Sequence, residues 1–120
     1  MVERMTQRFV LALDLVDDAD LIAAYEDWHR PGHTPQPIIR SIREAGIDNM
    51  EIFRAGNRMV MIIDANDSFS LAAKAHADAA NPEVQSWEAR MKQFQRPIAA
   101  AGATGSWLPM DRVFRLTDHA

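Results

Sequence analysis

The spacing of hydrophobic and polar residues changes several times along this chain, and each change marks an element. Residues 7–18 read QRFVLALDLVDD, with Phe9, Leu11, Leu13 and Leu15 alternating against a mixed second face. A period of two sends successive side chains to opposite sides of an extended backbone, so the stretch predicts a strand. After Asp17-Asp18 the period lengthens: ADLIAAYEDWHR (19–30) sets Ile22, Tyr25 and His29 at i, i+3 and i+7, flanked by Leu21 and Trp28. That stripe predicts an amphipathic helix with the histidine on its last turn. The loop PGHTPQP, with three prolines, breaks it, and PIIRSIREAG (37–46) predicts a second helix with Gly46 at the C′ position. Two apolar runs, roughly 49–54 and 58–64, flank Ala55-Gly56-Asn57 and predict a hairpin. SFSLAAKAHADAA (68–80) is alanine-rich and predicts a third helix. NPEVQSWEARMKQFQRP opens a fourth, with Asn81 as N-cap, Pro82 at N1 and Glu83 in the first turn. Val84, Trp87, Met91 and Phe94 form its stripe, and Pro97 stops it. IAAAGATGS reads as a flexible connection, and WLPMDRVFRL (107–116) as a last strand that Pro109 assigns to a sheet edge.

The order β-α(α)-β-β-α(α)-β is the split βαβ pattern of a ferredoxin-like α+β sandwich. Helices cover one face of such a four-stranded sheet, and something else must cover the other. The expectation is a homodimer of the dimeric α/β-barrel type, built from one domain spanning residues 1–120.

Composition narrows the function. At 120 residues the chain can bury a core without staples, and 48% hydrophobic with 25% charged residues is ordinary for a globular protein. Net charge is −4 and the arginines (Arg40, Arg43, Arg54, Arg58, Arg90, Arg96) are scattered, so no basic stripe is present for nucleic acid. The absence of cysteine excludes disulfides, thiolate nucleophiles and cysteine-zinc sites. Charges interrupt the apolar N-terminal run, which lacks a signal-peptide core, and no 18-residue apolar segment exists to span a membrane. A cytoplasmic protein is expected.

The candidate chemistry is narrow. His29 and His33 are four apart, but Pro31-Gly32 breaks the helical geometry a metal would need, and nothing completes a ligand set. Nucleophile elbows and phosphate-cradling glycine loops are missing, so no metal or cofactor is expected. What remains is proton transfer. Tyr25 and His29 at i, i+4 share a helix face with Cβ atoms about 5–6 Å apart, and an imidazole and a phenol can together move a proton near neutral pH. On spacing alone the simpler account is a pair of core-edge residues with satisfied polar tips. Core packing is likewise the simpler account of Trp87, and a solvated rim position that of Glu88. Glu51 alternates with Met50 and Ile52 and so faces the other side of the sheet, where Arg54 or Arg58 could pair with it.

Four blocks in this order, YEDWHRPG, EAGIDNMEIFRAGNRMVMII, NPEVQSWEARMKQFQRP and MDRVFRL, resemble the L-rhamnose mutarotase family over Phe9 to Leu116. The resemblance implies a dimeric ferredoxin-like enzyme that interconverts the α and β anomers of a 6-deoxy-sugar without a cofactor. The family's catalytic histidine, four residues after a tyrosine, matches His29 with Tyr25 before it, and its last-helix tryptophan matches Trp87. Three departures bear on the sugar. Rhamnose-type members resemble a pattern with a second tryptophan at Glu88, a tyrosine at Met50, and Trp-Pro-Glu where this chain has Pro35-Gln36-Pro37. The Met-Glu-Ile and Trp-Glu versions look more like an L-fucose-directed branch. The expectation is therefore an aldose mutarotase with L-fucose favoured over L-rhamnose, His29 and Tyr25 catalytic, and Trp87, Glu88, Met50 and Glu51 on the sugar. The same fold also hosts non-catalytic binding or dimerisation modules and monooxygenases.

Overall fold

β1 (Thr6–Leu15) is the axis of the structure, a computed structural model that describes residues 6–99 and 106–119. Its long neighbour is β3 (Arg58–Asn66), paired antiparallel from Thr6↔Asn66 to Asp14↔Arg58. β2 (Ile47–Ala55) lies outside β3 as the other half of the expected hairpin, with an irregularity in register between Ile47 and Asn49. On the far side of β1 lie two short strands, β4 (Gln95–Arg96) and β5 (Leu108–Pro109). The order β2-β3-β1-β4, with β5 also on β1, is the antiparallel ferredoxin-like sheet.

The period of two in β1 and β3 becomes burial directly. Leu11, Leu13 and Leu15 are buried on one face together with Met59, Met61, Ile63 and Ala65, while β3 alternates buried and partly buried residues along its length. Helices α1 (Ala19–Trp28), α2 (Gln36–Glu44), α3 (Leu71–Ala79) and α4 (Pro82–Lys92) accompany that sheet. Their starts follow local chemistry: Asp18 accepts from Leu21 N–H at 2.9 Å, Ser70 from Ala73 N–H at 3.0 Å, and Asn81 from Glu83 N–H at 3.1 Å. α2 stops before Gly46, whose φ of +98° is left-handed and whose missing Cβ would lie 2.7 Å from Asn66 Oδ1.

Two apolar clusters fill the space under the helices. Leu11, Ile47, Met61, Ile63 and Phe69 make one, and Leu13, Leu15, Tyr25, Met59, Met91 and Phe94 the other, with Ile52 and Trp107 packed on both. Among the described residues, no helix is long and apolar enough to cross a membrane.

Two expectations are corrected. The last strand is not 107–116: pairing is confined to Leu108–Pro109, extended by Met110 N–H donating to Val10 O at 2.8 Å. Beyond it Val113, Phe114 and Leu116 are 98%, 64% and 73% exposed. Their apolar pattern meets no strand edge among the described residues, so no ladder forms there. The fourth helix ends at Lys92 rather than at Pro97, because Gln95 and Arg96 turn onto the edge of β1 opposite Leu15 and Asp14.

Candidate active site

α1 cannot continue past His29. Pro31 lacks an amide hydrogen, and Gly32 adopts φ +84°. The carbonyls of the last turn therefore lack intrahelical donors, and the following loop supplies them. Glu26 O accepts from the His29 backbone N–H at 3.0 Å and Asp27 O from that of Arg30 at 3.3 Å. His33 Nδ1 lies 2.8 Å from Asp27 O, and Thr34 Oγ1 donates to Trp28 O at 2.8 Å. The remaining carbonyl, that of Tyr25, is met by Nδ1 of His29 at 2.7 Å.

That contact decides the tautomer of His29. A carbonyl oxygen can only accept, so Nδ1 carries the hydrogen, and in the neutral ring the lone pair sits on Nε2. Burial pushes the imidazole below its ordinary 6.5, with the Tyr25 carbonyl pulling weakly the other way. The ring is therefore neutral near pH 7 and basic at Nε2. It lies tilted on the Tyr25 ring at 4.3 Å between centroids and meets Trp87 edge-on at 5.6 Å. Trp87 is braced by Trp28 at 6.0 Å, and the Arg90 guanidinium covers Trp28 at 4.5 Å. Tyr25 is buried against Phe94, their rings 5.9 Å apart. Burial raises its phenol to about 12, with the polar side chain of Gln95 on the same cavity wall pulling the other way. It stays protonated at any working pH.

Tyr25, His29 and Trp87 line a cavity of about 900 Å³ where the two apolar clusters meet, a volume within the usual range for small-molecule sites. Leu11, Met61 and Ile63 form part of its sheet-side wall, with Met50 and Ile52 from β2. Its polar wall comes from α3 and α4. Lys74 Nζ lies 2.7 Å from Asp78 Oδ2 in a largely covered ion pair, and Gln85 Nε2 donates to Asp78 O at 2.8 Å and to Glu88 Oε2 at 3.4 Å.

Five of the six expected site residues thus share one cavity: His29, Tyr25, Trp87, Met50 and, from an exposed position, Glu88. Glu51 does not join them. It projects from the opposite face of β2, exposed, and accepts from Asn49 Nδ2 at 3.3 Å. Nor does it pair with the arginines considered for it, since Arg54 bonds Glu26 at 2.6 Å and Arg58 bonds Asp14 at 2.8 Å. His29 also sits at the C-cap rather than inside the last turn. Sequence reasoning missed Gln95, Thr34 and Lys74 on the cavity wall. The i, i+4 spacing of Lys74 and Asp78 was a usable signal; Gln95 and Thr34 carried none.

The L-rhamnose mutarotase family model matches residues 8–116, nearly the whole chain. The chain belongs to that family. It is a sugar mutarotase, an isomerase that exchanges the anomers of an aldose. An L-fucose mutarotase of Xanthomonas campestris pv. campestris is 42% identical over 112 residues, covering 93% of this chain and 90% of that protein. A UPF0734 protein of Dictyostelium discoideum is 28% identical over 113 residues, 90% of this chain and 88% of its own length. The crystal structure of an L-rhamnose mutarotase from Formosa agariphila superposes with a TM-score of 0.65 at 16% identity, covering 92% of this chain and 98% of the other. This last likeness is one of fold.

Proposed function

We propose that this mutarotase acts on a 6-deoxy-L-hexose, L-fucose in preference to L-rhamnose, by cofactor-free acid/base opening and closure of the ring. The observation that carries the reading is His29, held through Nδ1 by a backbone carbonyl at 2.7 Å and bordering the cavity, with Nε2 left for chemistry. In the opening step Nε2 removes the proton from the anomeric O1–H and the C1–O5 bond breaks. The ring oxygen O5 takes a proton from the Tyr25 hydroxyl. The aldehyde turns about C1–C2, O5 adds to its other face, and both protons return to their donors. Nothing is oxidised or consumed, so these two side chains account for the whole proton balance.

Trp87 offers an aromatic face to the apolar C–H side of the sugar. L-fucose and L-rhamnose differ in configuration at C2 and C4, so a hydroxyl ligand at one of those positions separates them. Glu88, beside Gln85 on the polar wall, is suited to accept from such a hydroxyl. Where the bound sugar covers that carboxylate from water, leaving it unpaired with the wrong epimer would cost about 1–3 kcal/mol. The similarity to a protein named as an L-fucose mutarotase supports the same choice.

The assembly is also proposed to be a homodimer. The sheet face away from the helices carries partly exposed Val10, Val60 and Ile62 beside exposed Phe53, and the apolar chain around Val113 and Phe114 follows β5. A second copy would cover both.

Saturation-difference NMR with L-fucose, L-rhamnose and D-glucose in parallel tests the activity. The expected result is accelerated exchange with L-fucose above L-rhamnose, reduced by about 10²–10⁴-fold in His29→Ala. Full exchange in that variant would remove His29 from the mechanism, and a rhamnose preference would reverse the substrate assignment.

A further inference from the structure

We infer that Lys74 and Asp78 are a specificity-determining pair for the sugar: the ammonium donates to one hydroxyl of the C3–C4 diol and the carboxylate accepts from the other. This rests on the mutarotase reading above, which gives the C1–O5 end of the ring to His29 and Tyr25 but assigns no ligand to the hydroxyl at C3.

α3 is built mostly of alanine and contributes no buried residue. Ala72, Ala73, His76 and Ala77 are exposed, yet the side chains of Lys74 and Asp78 keep only 18% and 17% of their exposure. Lys74 Nζ lies 2.7 Å from Asp78 Oδ2, and both residues border the cavity. The end of α3 that carries Asp78 is fixed to α4, because the Asp78 carbonyl accepts from Asn81 N–H at 3.1 Å and from Gln85 Nε2 at 2.8 Å. Helix support alone does not account for this placement. An i, i+4 pair adds little to a helix, and withdrawing both charges from water opposes it unless further hydrogen bonds satisfy them. Among the described residues the ammonium bonds Asp78 alone, so two of its three hydrogens and the second carboxylate oxygen remain for a ligand.

Position along the cavity decides which part of a sugar the pair meets. Tyr25 belongs to the cluster around Leu13 and Met59, with Trp87 packed on it. Leu71, the residue one turn before Lys74, packs instead on the cluster around Leu11, Met61 and Phe69. The cavity lies where the two clusters meet, so the catalytic pair and the ion pair belong to different ends of it. In a pyranose the C3–C4 bond lies directly across the ring from C1–O5. A sugar with its anomeric end at His29 therefore turns that bond toward α3. Two adjacent hydroxyls can each donate and accept, and a donor and an acceptor 2.7 Å apart match them. L-fucose carries these hydroxyls cis, with the one at C4 axial, whereas L-rhamnose carries them trans. One fixed pair cannot serve both equally. Glu88 then falls to the hydroxyl at C2.

The test measures kcat and KM for anomer exchange in Lys74→Met and Asp78→Asn, with His76→Ala as a control on the exposed side of the same helix. A hydrogen bond to a charged group is worth about 10- to 100-fold in binding. Both substitutions are expected to raise KM for L-fucose by about that factor with kcat little changed, and to affect L-rhamnose less. His76→Ala is expected to leave KM where it was. L-fucose analogues lacking the 3-hydroxyl or the 4-hydroxyl then locate each contact. Each substitution is expected to lose its effect on KM with one of the two analogues, because the group it removes has no partner left there. A purely structural role would penalise all of these sugars alike. An unchanged KM for L-fucose in either variant, or a penalty that persists against both analogues, overturns the role of the pair and leaves the mutarotase standing. Absence of exchange in the unsubstituted protein removes the proposed function and this role together.

Discussion

The two faces of the sheet solve different problems with the same strands. On the helix side, the rungs between β1 and β3 are Phe9↔Ile63, Leu11↔Met61 and Leu13↔Met59, apolar throughout. On the other side the rungs are Arg8↔Asp64, Val10↔Ile62, Ala12↔Val60 and Asp14↔Arg58. The outer face is thus a two-rung apolar strip closed at each end by an ion pair, with Arg8 2.8 Å from Asp64 and Arg58 2.8 Å from Asp14. The inner face supplies the core and the cavity wall. The outer face sets register, since opposite charges directly across a ladder favour one pairing and a one-residue slip would turn every core leucine outward. It also leaves apolar surface that one chain does not cover.

This contrast is broken most severely from the inside. Leu13 has no solvent exposure and lies opposite Met59, which has 1%. Leu13→Ala removes packing that the crowded cluster around Tyr25, Met91 and Phe94 cannot easily replace. The expected loss is about 2–5 kcal/mol in a urea melt. A loss no larger than that of an outer-face alanine substitution would mean that the cluster collapses around the gap. A charge on the outer strip acts differently. Ile62→Asp sets a carboxylate across from Val10 and beside Glu51, both on the exposed side. It should leave the far-ultraviolet spectrum unchanged while converting the proposed dimer to monomer in sedimentation at micromolar concentration. A dimer that survives the substitution would place the contact elsewhere.

How much could be read beforehand follows the same division. The alternation of Phe9, Leu11, Leu13 and Leu15 gave the inner face correctly, because burial on one side enforces a period of two wherever it occurs. Asn81-Pro82-Glu83 and Gly46 marked a helix start and a helix stop by chemistry confined to a few residues, which is why they were legible. Glu51 was expected on the sugar although its parity already set it opposite Met50, and the structure keeps it out of the cavity. The segment 107–116 looked like a strand because apolar alternation does not say whether an edge is available to pair with. Gln95 was hidden for the opposite reason. It borders the cavity from β4 while Tyr25 does so from the first helix, and nothing in a local pattern encodes which distant elements share a wall. His29 fell between these cases: its spacing from Tyr25 was visible, but the use of Nδ1 to satisfy the Tyr25 carbonyl appears only once the helix is seen to end there.

The outer ion pairs are the place for the smallest effect, and its direction can be worked out. The Arg58 guanidinium, bonded to both Asp14 oxygens at 2.8 and 3.0 Å, holds that carboxyl below its ordinary 3.8 against a desolvation that would raise it, with Arg96 helping. A carboxyl with a lowered native value binds fewer protons folded than unfolded, so its contribution is present above pH 3.8 and is lost as pH falls through the lower native value. Asp14→Asn removes that linkage. The variant is expected to be slightly less stable than the unsubstituted protein at neutral pH, by far less than Leu13→Ala, because the Arg58 side chain is 60% exposed and water competes for it. The gap should close as urea melts are repeated at lower pH. A gap that stays constant would assign the Asp14 carboxylate a role in shape rather than charge, and the ion-pair rung would then set register through hydrogen-bond geometry alone.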